Sequence, residues 1–460
     1  MENGSSLTGE ARDRIQEIEK ADILVGIPSF NNEKTIGYVV GAVQCGLAKY
    51  FPRVRSLILN SDGGSTDRTR EIVERTGTWL EKDTSITRRP PQPTTSLSIR
   101  YSGIPGKGTA LRAVLEAANL LNVRACVVLD SDLRSISPEW VELLAGPILA
   151  KGYDYVSPFY RRHKYDGTIT NSIVYPLTRA LYGLRVRQPI GGDFALGKRL
   201  VTSLLAKDVW GTDVARFGID IWMTTNAINE GYKVCQSFLG AKIHDPKDPG
   251  SSLGPMFKQV VGTLFHLMSD YEDQWKASVY AKPTPMYGLR SEVSPEPVRV
   301  SPEPLIDRFR KGVTESRDYW LTFMPTERVG ELEEASRLLL EKFSLSQTLW
   351  ARTVYDFAVA YRQKWHCPPE ERAELLESLV PIYLGRTASF VMETKEMPTY
   401  RAEQVIEGLC HEFQKLRPYL VRRWNFNRIR CYSRERSHAD SDEEETSAKV
   451  HPAEVALSST

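Results

Sequence analysis

Residues 124–140 read RACVVLDSDLRSISPEW, an apolar run that ends in two aspartates, Asp130 and Asp132. An unbroken apolar stretch of this kind suits a parallel strand covered on both faces. Ligands of open α/β sheets gather at the carboxyl ends of such strands. Side chains two apart on a strand share a face, so Asp130 and Asp132 are expected to aim at one point. Two converging carboxylates repel each other unless a cation lies between them. Mg²⁺ or Mn²⁺, hard ions that prefer oxygen ligands, would fill that role together with a substrate diphosphate. Taken alone, Asp-x-Asp also fits a solvated strand-to-helix turn with the aspartates as caps.

The surroundings extend the strand reading. From residue 22 to about 244, strand-like runs (DILVGIPSF at 22–30, RSLILNSDGG at 55–64, SLSIRYSG at 96–103, YDYVSPFY at 153–160) alternate with helical ones (34–51, 65–77, 107–122, 138–152). Crossovers of this length join parallel strands, so the fold class is α/β, a mostly parallel, Rossmann-like sheet flanked by helices. After about residue 255 the strand signal stops and helical periodicity takes over, at 254–275, 331–365, 369–393 and 400–424. A Pro-rich stretch at 282–304 reads as a loop. The expected organisation is an N-terminal helical extension (1–20), an α/β catalytic domain (21–255), a helical C-terminal region (256–431) and a disordered acidic tail (432–460).

Composition excludes several classes. The 460 residues hold 60 basic and 58 acidic side chains, which gives no overall attraction to nucleic acid or to a membrane surface. The six cysteines are scattered with no Cys-x-x-Cys pair, which argues against a zinc site and fits a reducing cytoplasm. The N-terminus has no apolar segment of the secretory type, and no run is long enough to span a bilayer. The sequence does not fix the oligomeric state, although the amphipathic helical half is compatible with a homodimer.

Three further stretches favour a ligand site over a capped turn. LNSDGGSTDRT (59–69) places Asp62 and two glycines at a second strand end. PGKGTALR (105–112) sets Lys107 between glycines at a helix start, where backbone N–H groups, helix dipole and ammonium all attract an anion. GYKVCQSFLGAKIHDPKD (231–248) closes another apolar run on His244, an imidazole able to act as a third metal ligand. Just after the strand at 153–160, YRRHKYDGTITNS brings Arg161, Arg162, His163 and Lys164 together. The cluster fits a solvated turn, or an anionic acceptor with spare cations for a phosphate.

The ordered set IPSFNNEKTI, NSDGGSTDRT, GKGTAL, DSDL, QPIGGDFAL, FGIDIWM and KIHD, within residues 22–270, resembles the GT-A-type nucleotide-sugar glycosyltransferases. The group it is similar to is the retaining one that contains glucosyl-3-phosphoglycerate synthase, glucosylglycerate synthase and mannosylglycerate synthase. The resemblance implies a metal-dependent enzyme that moves a hexose, glucose first, from a nucleotide sugar to the 2-hydroxyl of 3-phosphoglycerate or D-glycerate. It implies Mg²⁺ or Mn²⁺, and anomeric retention by front-face attack. It implies that Pro28 and Asn32 hold the base and ribose, with Asn32 standing where the family usually has a glutamate. Asp62 would contact the base, Lys107 the phosphate or base, and Asp130 the ribose or metal. Asp132 and His244 would ligate the metal. Gly191 and Gly192 would let the backbone lie against sugar and acceptor. Asp193 and Asp220 would bind sugar hydroxyls or serve as a base, and Arg162 with Thr170 would clamp the acceptor carboxylate.

Alternatives within the sequence are a nucleotidyltransferase, a glycosyltransferase for another anionic acceptor, and an inactive sugar-binding protein. The first normally has a Gly-rich phosphate loop after its first strand, where this chain has PSFNNEKT. The last is opposed by the intact Lys107, Asp130, Asp132 and His244.

Overall fold

The computed structural model describes residues 4–79, 94–244, 253–278, 280–289 and 295–426. Its strands are β1 (Ile23–Ser29), β2 (Ser56–Asp62), β3 (Thr94–Arg100), β4 (Ala125–Val128), β5 (Tyr155–Arg161), β6 (Leu184–Arg185), β7 (Phe194–Gly197), β8 (Val234–Ala241), β9 (Lys282–Pro283) and β10 (Met286–Tyr287). Eight of them form one sheet in the order β10-β8-β5-β7-β4-β1-β2-β3, and β6 pairs with β9 apart from it. All pairings in the large sheet are parallel except those of β7, which runs antiparallel to both β4 and β5. The expected α/β, mostly parallel sheet is what the chain forms.

Alternation along β1 explains the two layers. Ile23, Val25 and Ile27 pack in one apolar cluster with the helices Ile36–Tyr50 and Glu139–Lys151. Leu24 packs in the other cluster, with the helix Lys107–Leu120. That helix sits close to the strand because Gly26 has no side chain: a Cβ there would lie 2.2 Å from Cγ1 of Val114.

The chain order places the site. From β1 the sheet grows outward through β2 to β3, and β4 then docks on the other side of β1. The crevice at such a reversal is where open α/β sheets bind ligands. Because β7 is antiparallel, with Val128 opposite Phe194, the residues that precede β7 lie at the carboxyl end of β4. The sequence signal for β7 was weak, since the strand has four residues and follows two glycines.

Helices dominate after residue 253, but two expectations are corrected. The stretch at 282–304, read as loop, contributes β9, β10 and the first turn of the helix Pro302–Leu321. The periodic segment at 331–365 is two helices, Thr326–Arg337 and Gln347–Gln363, with Ser346 capping the second through Leu349 N. The acidic tail lies outside the described residues. No helix among the described residues is long and apolar enough to cross a membrane.

Candidate functional site

A cavity of about 620 Å³ opens at the carboxyl edge of the sheet. Pro28 and Asn32 reach it from the end of β1, Asp130 and Asp132 from the end of β4, and Lys242 and His244 from the end of β8. Lys107, Arg162, Thr170, Gly191, Gly192 and Asp220 complete the polar part of its wall. Two expected residues, Asp62 and Asp193, are fully buried and do not line it.

The aspartates of the opening stretch are not strand residues. β4 ends at Val128, so Asp130 and Asp132 belong to the turn that follows. Asp130 accepts from Lys107 Nζ on one oxygen at 3.0 Å and from Lys242 Nζ on the other at 2.6 Å. The cations beside Asp130 among the described residues are therefore a pair of ammonium groups, one on each of its oxygens. Burial alone would raise its pKa, but the two lysines hold the carboxyl far below the usual range.

Lys242 is the centre of this network, and the sequence reading passed over it. Its ammonium also donates to Asp193 Oδ2 at 2.8 Å and to the Gly191 carbonyl at 2.9 Å. Burial opposes its charge, yet Asp130 and Asp193 together raise its pKa. Asp193 accepts from the Asp130 backbone N–H at 2.8 Å and from the Tyr160 hydroxyl. Burial raises the pKa of Asp193 in spite of Lys242. It joins β7 to the β4 turn from behind the cavity lining. Gly192, at φ +91°, is required here because a Cβ would lie 2.1 Å from Asp130 Oδ2.

Lys107 is the first residue of its helix and also reaches Asp220 Oδ2, at 3.2 Å. Desolvation works against its charge, but Asp130 and Asp220 push its pKa above the ordinary lysine range. The flanking glycines have a packing reason. A Cβ at Gly108 would lie 1.8 Å from the Val214 carbonyl, and one at Gly106 would lie 2.6 Å from that of Ala215. Burial raises the pKa of Asp220, with Lys107 opposing. Its Oδ1 is buried without a hydrogen-bond partner among the described residues, an acceptor atom on a residue of the cavity wall.

Asp62, expected to contact the base, organises the loop that follows β2. Its Oδ1 accepts from the N–H groups of Gly64 (2.9 Å) and Ser65 (2.8 Å), and its Oδ2 from the hydroxyls of Ser65 (2.6 Å) and Ser29 (3.2 Å). Asn32 lines the cavity, and its carboxamide oxygen accepts from Ser131 Oγ at 2.9 Å.

Asp132 lines the cavity half-buried and makes no hydrogen bond or ion pair among the described residues. His244 Nε2 lies 3.6 Å from Asp166 Oδ2. No cluster of three or more His, Cys, Asp or Glu side chains able to hold a metal by itself occurs among the described residues. An uncommitted carboxylate and an imidazole on one cavity wall suit a divalent ion whose other ligands come from a bound diphosphate and water.

Of the basic cluster, only Arg162 lines the cavity. It pairs with Asp166 at 3.5 Å and donates to the Gly191 carbonyl at 3.4 Å. Lys164 points the other way. Its ammonium donates to the carbonyls of Thr394 (2.6 Å), Lys395 (3.1 Å) and Met397 (2.6 Å), at the end of the helix Pro369–Thr394. A cation there satisfies terminal carbonyls and complements the dipole. Tyr165 and Thr168 add bonds to the Val391 carbonyl (3.1 Å) and the Tyr383 hydroxyl (2.6 Å). The helical region thereby holds the loop that carries Arg162 and Thr170. Lys164→Met is expected to lower stability by about 1–3 kcal/mol, by analogy with other hydrogen bonds to charged groups. Urea melts check this, and an unchanged stability would show that the loop holds itself.

Ile169, Ile190, Phe217, Leu253, Met256 and Val260 are among the apolar residues of the lining.

No family model matches the sequence. Among known proteins, the chain is 30% identical over 280 residues to glucosyl-3-phosphoglycerate synthase of Mycobacterium tuberculosis, covering 54% of this chain and 76% of that one. It is 29% identical over 262 residues to the enzyme of the same name from Mycolicibacterium smegmatis (53% and 76% covered) and 26% identical over 271 residues to that of Petrotoga mobilis (56% and 77%). Among solved structures, the M. tuberculosis enzyme with Mg²⁺ and uridine diphosphate aligns with TM-score 0.42 and 28% identity, over 55% of this chain and 83% of that one. The same enzyme with Mn²⁺, UDP-glucose and phosphoglyceric acid aligns with TM-score 0.41 and 25% identity, over 58% and 86%.

Proposed function

Since the chain belongs to the glucosyl-3-phosphoglycerate synthase family of glycosyltransferases, we propose that it moves a glucosyl group from a nucleoside diphosphate sugar to the 2-hydroxyl of a small 2-hydroxy acid of the glycerate type. The observation that carries the reading is that one cavity joins Lys107, the uncommitted Asp132 with His244, and the Arg162–Thr170 loop. Donor, metal and acceptor functions each have side chains of suitable chemistry there. The 30% identity to glucosyl-3-phosphoglycerate synthase of Mycobacterium tuberculosis supports the same assignment. Within this reading, residues 21–255 bind donor and acceptor, and the helices after them buttress the acceptor loop.

In the transfer, the bond from the anomeric carbon to the β-phosphate oxygen breaks and a bond to the acceptor oxygen forms. The diphosphate leaves with the bonding pair, the acceptor oxygen attacks the same face and passes its proton to a phosphate oxygen, and front-face attack retains the anomeric configuration. Mg²⁺ or Mn²⁺, held by Asp132 and His244, would act as a Lewis acid on the departing diphosphate. Lys107 adds fixed positive potential on the same wall. Asp220 offers its unpartnered Oδ1 to a sugar hydroxyl, and its ion pair with Lys107 keeps that oxygen oriented. Arg162, steadied by Asp166, receives the acceptor carboxylate, with Thr170 beside it. Main-chain atoms of Gly191 and Gly192 can approach the reacting sugar because neither carries a side chain.

The test is a matrix of UDP-, GDP- and ADP-glucose and GDP-mannose against D-glycerate and 3-phosphoglycerate, with Mn²⁺, read by mass spectrometry. A glucosylated hydroxy acid with stoichiometric nucleoside diphosphate is the expected product. Release of pyrophosphate, or no product from any pair, would overturn the reading.

A further inference from the structure

The helix Thr399–Lys415 belongs to the C-terminal region, far along the chain from the cavity residues. It carries two glutamates, Glu403 and Glu407, four residues apart and therefore on one face. The helix packs on Tyr175–Tyr182 and on the short π-helical turn Thr170–Val174 that leads into it. Each glutamate meets an arginine. Glu407 pairs with Arg179 and accepts from the Tyr175 hydroxyl at 3.1 Å, contacts that stay within the helix Tyr175–Tyr182. Glu403 takes Arg187 in a bidentate pair, Nε to Oε1 at 2.6 Å and Nη2 to Oε2 at 3.0 Å.

Arg187 carries the contact onward. It is buried and stands four residues before Gly191. Its Nη2 also donates to Asn171 Oδ1 at 2.8 Å, and Asn171 Nδ2 donates to the Asp166 carbonyl at 3.3 Å. Asn171 follows Thr170, and Asp166 carries the carboxylate beside Arg162. One guanidinium thus links Glu403 to both wall segments, 166–170 and 190–192. The backbone at Thr170 has a use for such a tie. Its carbonyl accepts from the Tyr175 N–H, five residues on, a wide turn that is rare and recurs at functional sites. The Arg187 main chain is fixed separately, its N–H donating to Gln236 Oε1 of β8 at 2.7 Å. Arg187 is therefore held at its backbone by the sheet and at its fork by the helix, and a bidentate pair fixes orientation as well as distance.

We propose that Glu403 is a positioning residue for the acceptor: through Arg187 and Asn171 it sets the two wall segments that carry Arg162, Thr170 and Gly191. This rests on the glycosyl-transfer reading and deepens it, by assigning acceptor affinity in part to a helix that touches no substrate.

The experiment compares the full-length native protein with Glu403→Gln and Glu407→Gln, each of which keeps the side-chain shape and loses the charge. 3-Phosphoglycerate and D-glycerate are titrated by calorimetry in the presence of UDP and Mn²⁺, and UDP is titrated with Mn²⁺ alone. Glu403→Gln should weaken the better-bound acid about fivefold or more, as small displacements of positioned groups do, and leave UDP affinity within about twofold. Glu407→Gln breaks an ion pair on the same face without a tie to the cavity, so it should lower the melting temperature comparably and leave acid affinity unchanged. Amide exchange over residues 166–174 should quicken about tenfold in Glu403→Gln and far less in Glu407→Gln. Unchanged acid affinity in a folded Glu403→Gln protein, an equal fall in UDP affinity, or equal effects of the two variants would overturn the proposal. The expected binding changes without glucose transfer by the native protein would count against the transferase reading alone. If the native protein binds neither acid, exchange decides: unchanged exchange over 166–174 in Glu403→Gln overturns the proposal.

Discussion

Lys242→Met is expected to abolish detectable turnover and to lower stability by about 3–5 kcal/mol, the usual loss when one partner of a buried ion pair is removed. Lys242 is almost fully buried, with a side-chain exposure of 3%, and it separates the carboxylates of Asp130 and Asp193. Methionine keeps the length and loses the charge, so both carboxylates would face each other across an apolar stem. The pH response identifies the cause. In the native protein, the Asp130 carboxyl is held below its ordinary value, so its contribution is present above about pH 4 and is lost as pH falls. In the variant, Asp193, already raised by burial, rises further. A raised carboxyl stabilises the fold when protonated and loses that contribution as pH rises. The gap in melting temperature between Lys242→Met and the native protein should therefore shrink from pH 8 to pH 5. A pH-independent gap would assign the loss to packing.

Asp132→Ala and His244→Ala should each reduce turnover by about a hundredfold or more, on the scale of several kcal/mol of Lewis-acid assistance. Melting temperature should change little for Asp132→Ala, because Asp132 has no bonded partner among the described residues. Calorimetry supplies a readout independent of catalysis: Mn²⁺ should tighten UDP binding to the native protein and not to either variant. Near-normal turnover of both variants in limiting Mn²⁺ would remove these two residues from the metal assignment.

The fold was legible because its signals are long. Buried strands of seven residues, β1 and β2, separated by a helix of 15, leave little choice but a parallel crossover. β7 and β10, of four and two residues, carry too few side chains to show a period. The site was legible as a set of strand ends, and unread where chemistry depends on partners distant in sequence. Asp130 plainly needed a cation, and a metal was the economical assumption. Lys242 supplies it from 112 residues away, in KIHD, where only the histidine drew notice. Lys164 looked like a phosphate ligand because it follows Arg162, but its carbonyl partners lie more than 200 residues further on. Asp62 and Asp193 show the opposite case: each stands at the right strand end, and each is turned inward to hold a loop.

The Lys164 cap has a counterpart in the core, where one apolar cluster runs without a break from Leu24 and Leu57 of the sheet to Val354, Leu379 and Trp424 of the helices. Sheet and helices therefore share one interior, although the sequence changes character near residue 255. Parts that share an interior melt together, with no plateau between them. Slowly exchanging amides of β1 and of the helix Gln347–Gln363 should report the same opening free energy, as one cooperative unit. A loop fastened across such a unit keeps its geometry until the whole molecule gives way, so the loop of Arg162 and Thr170 is as durable as the fold itself.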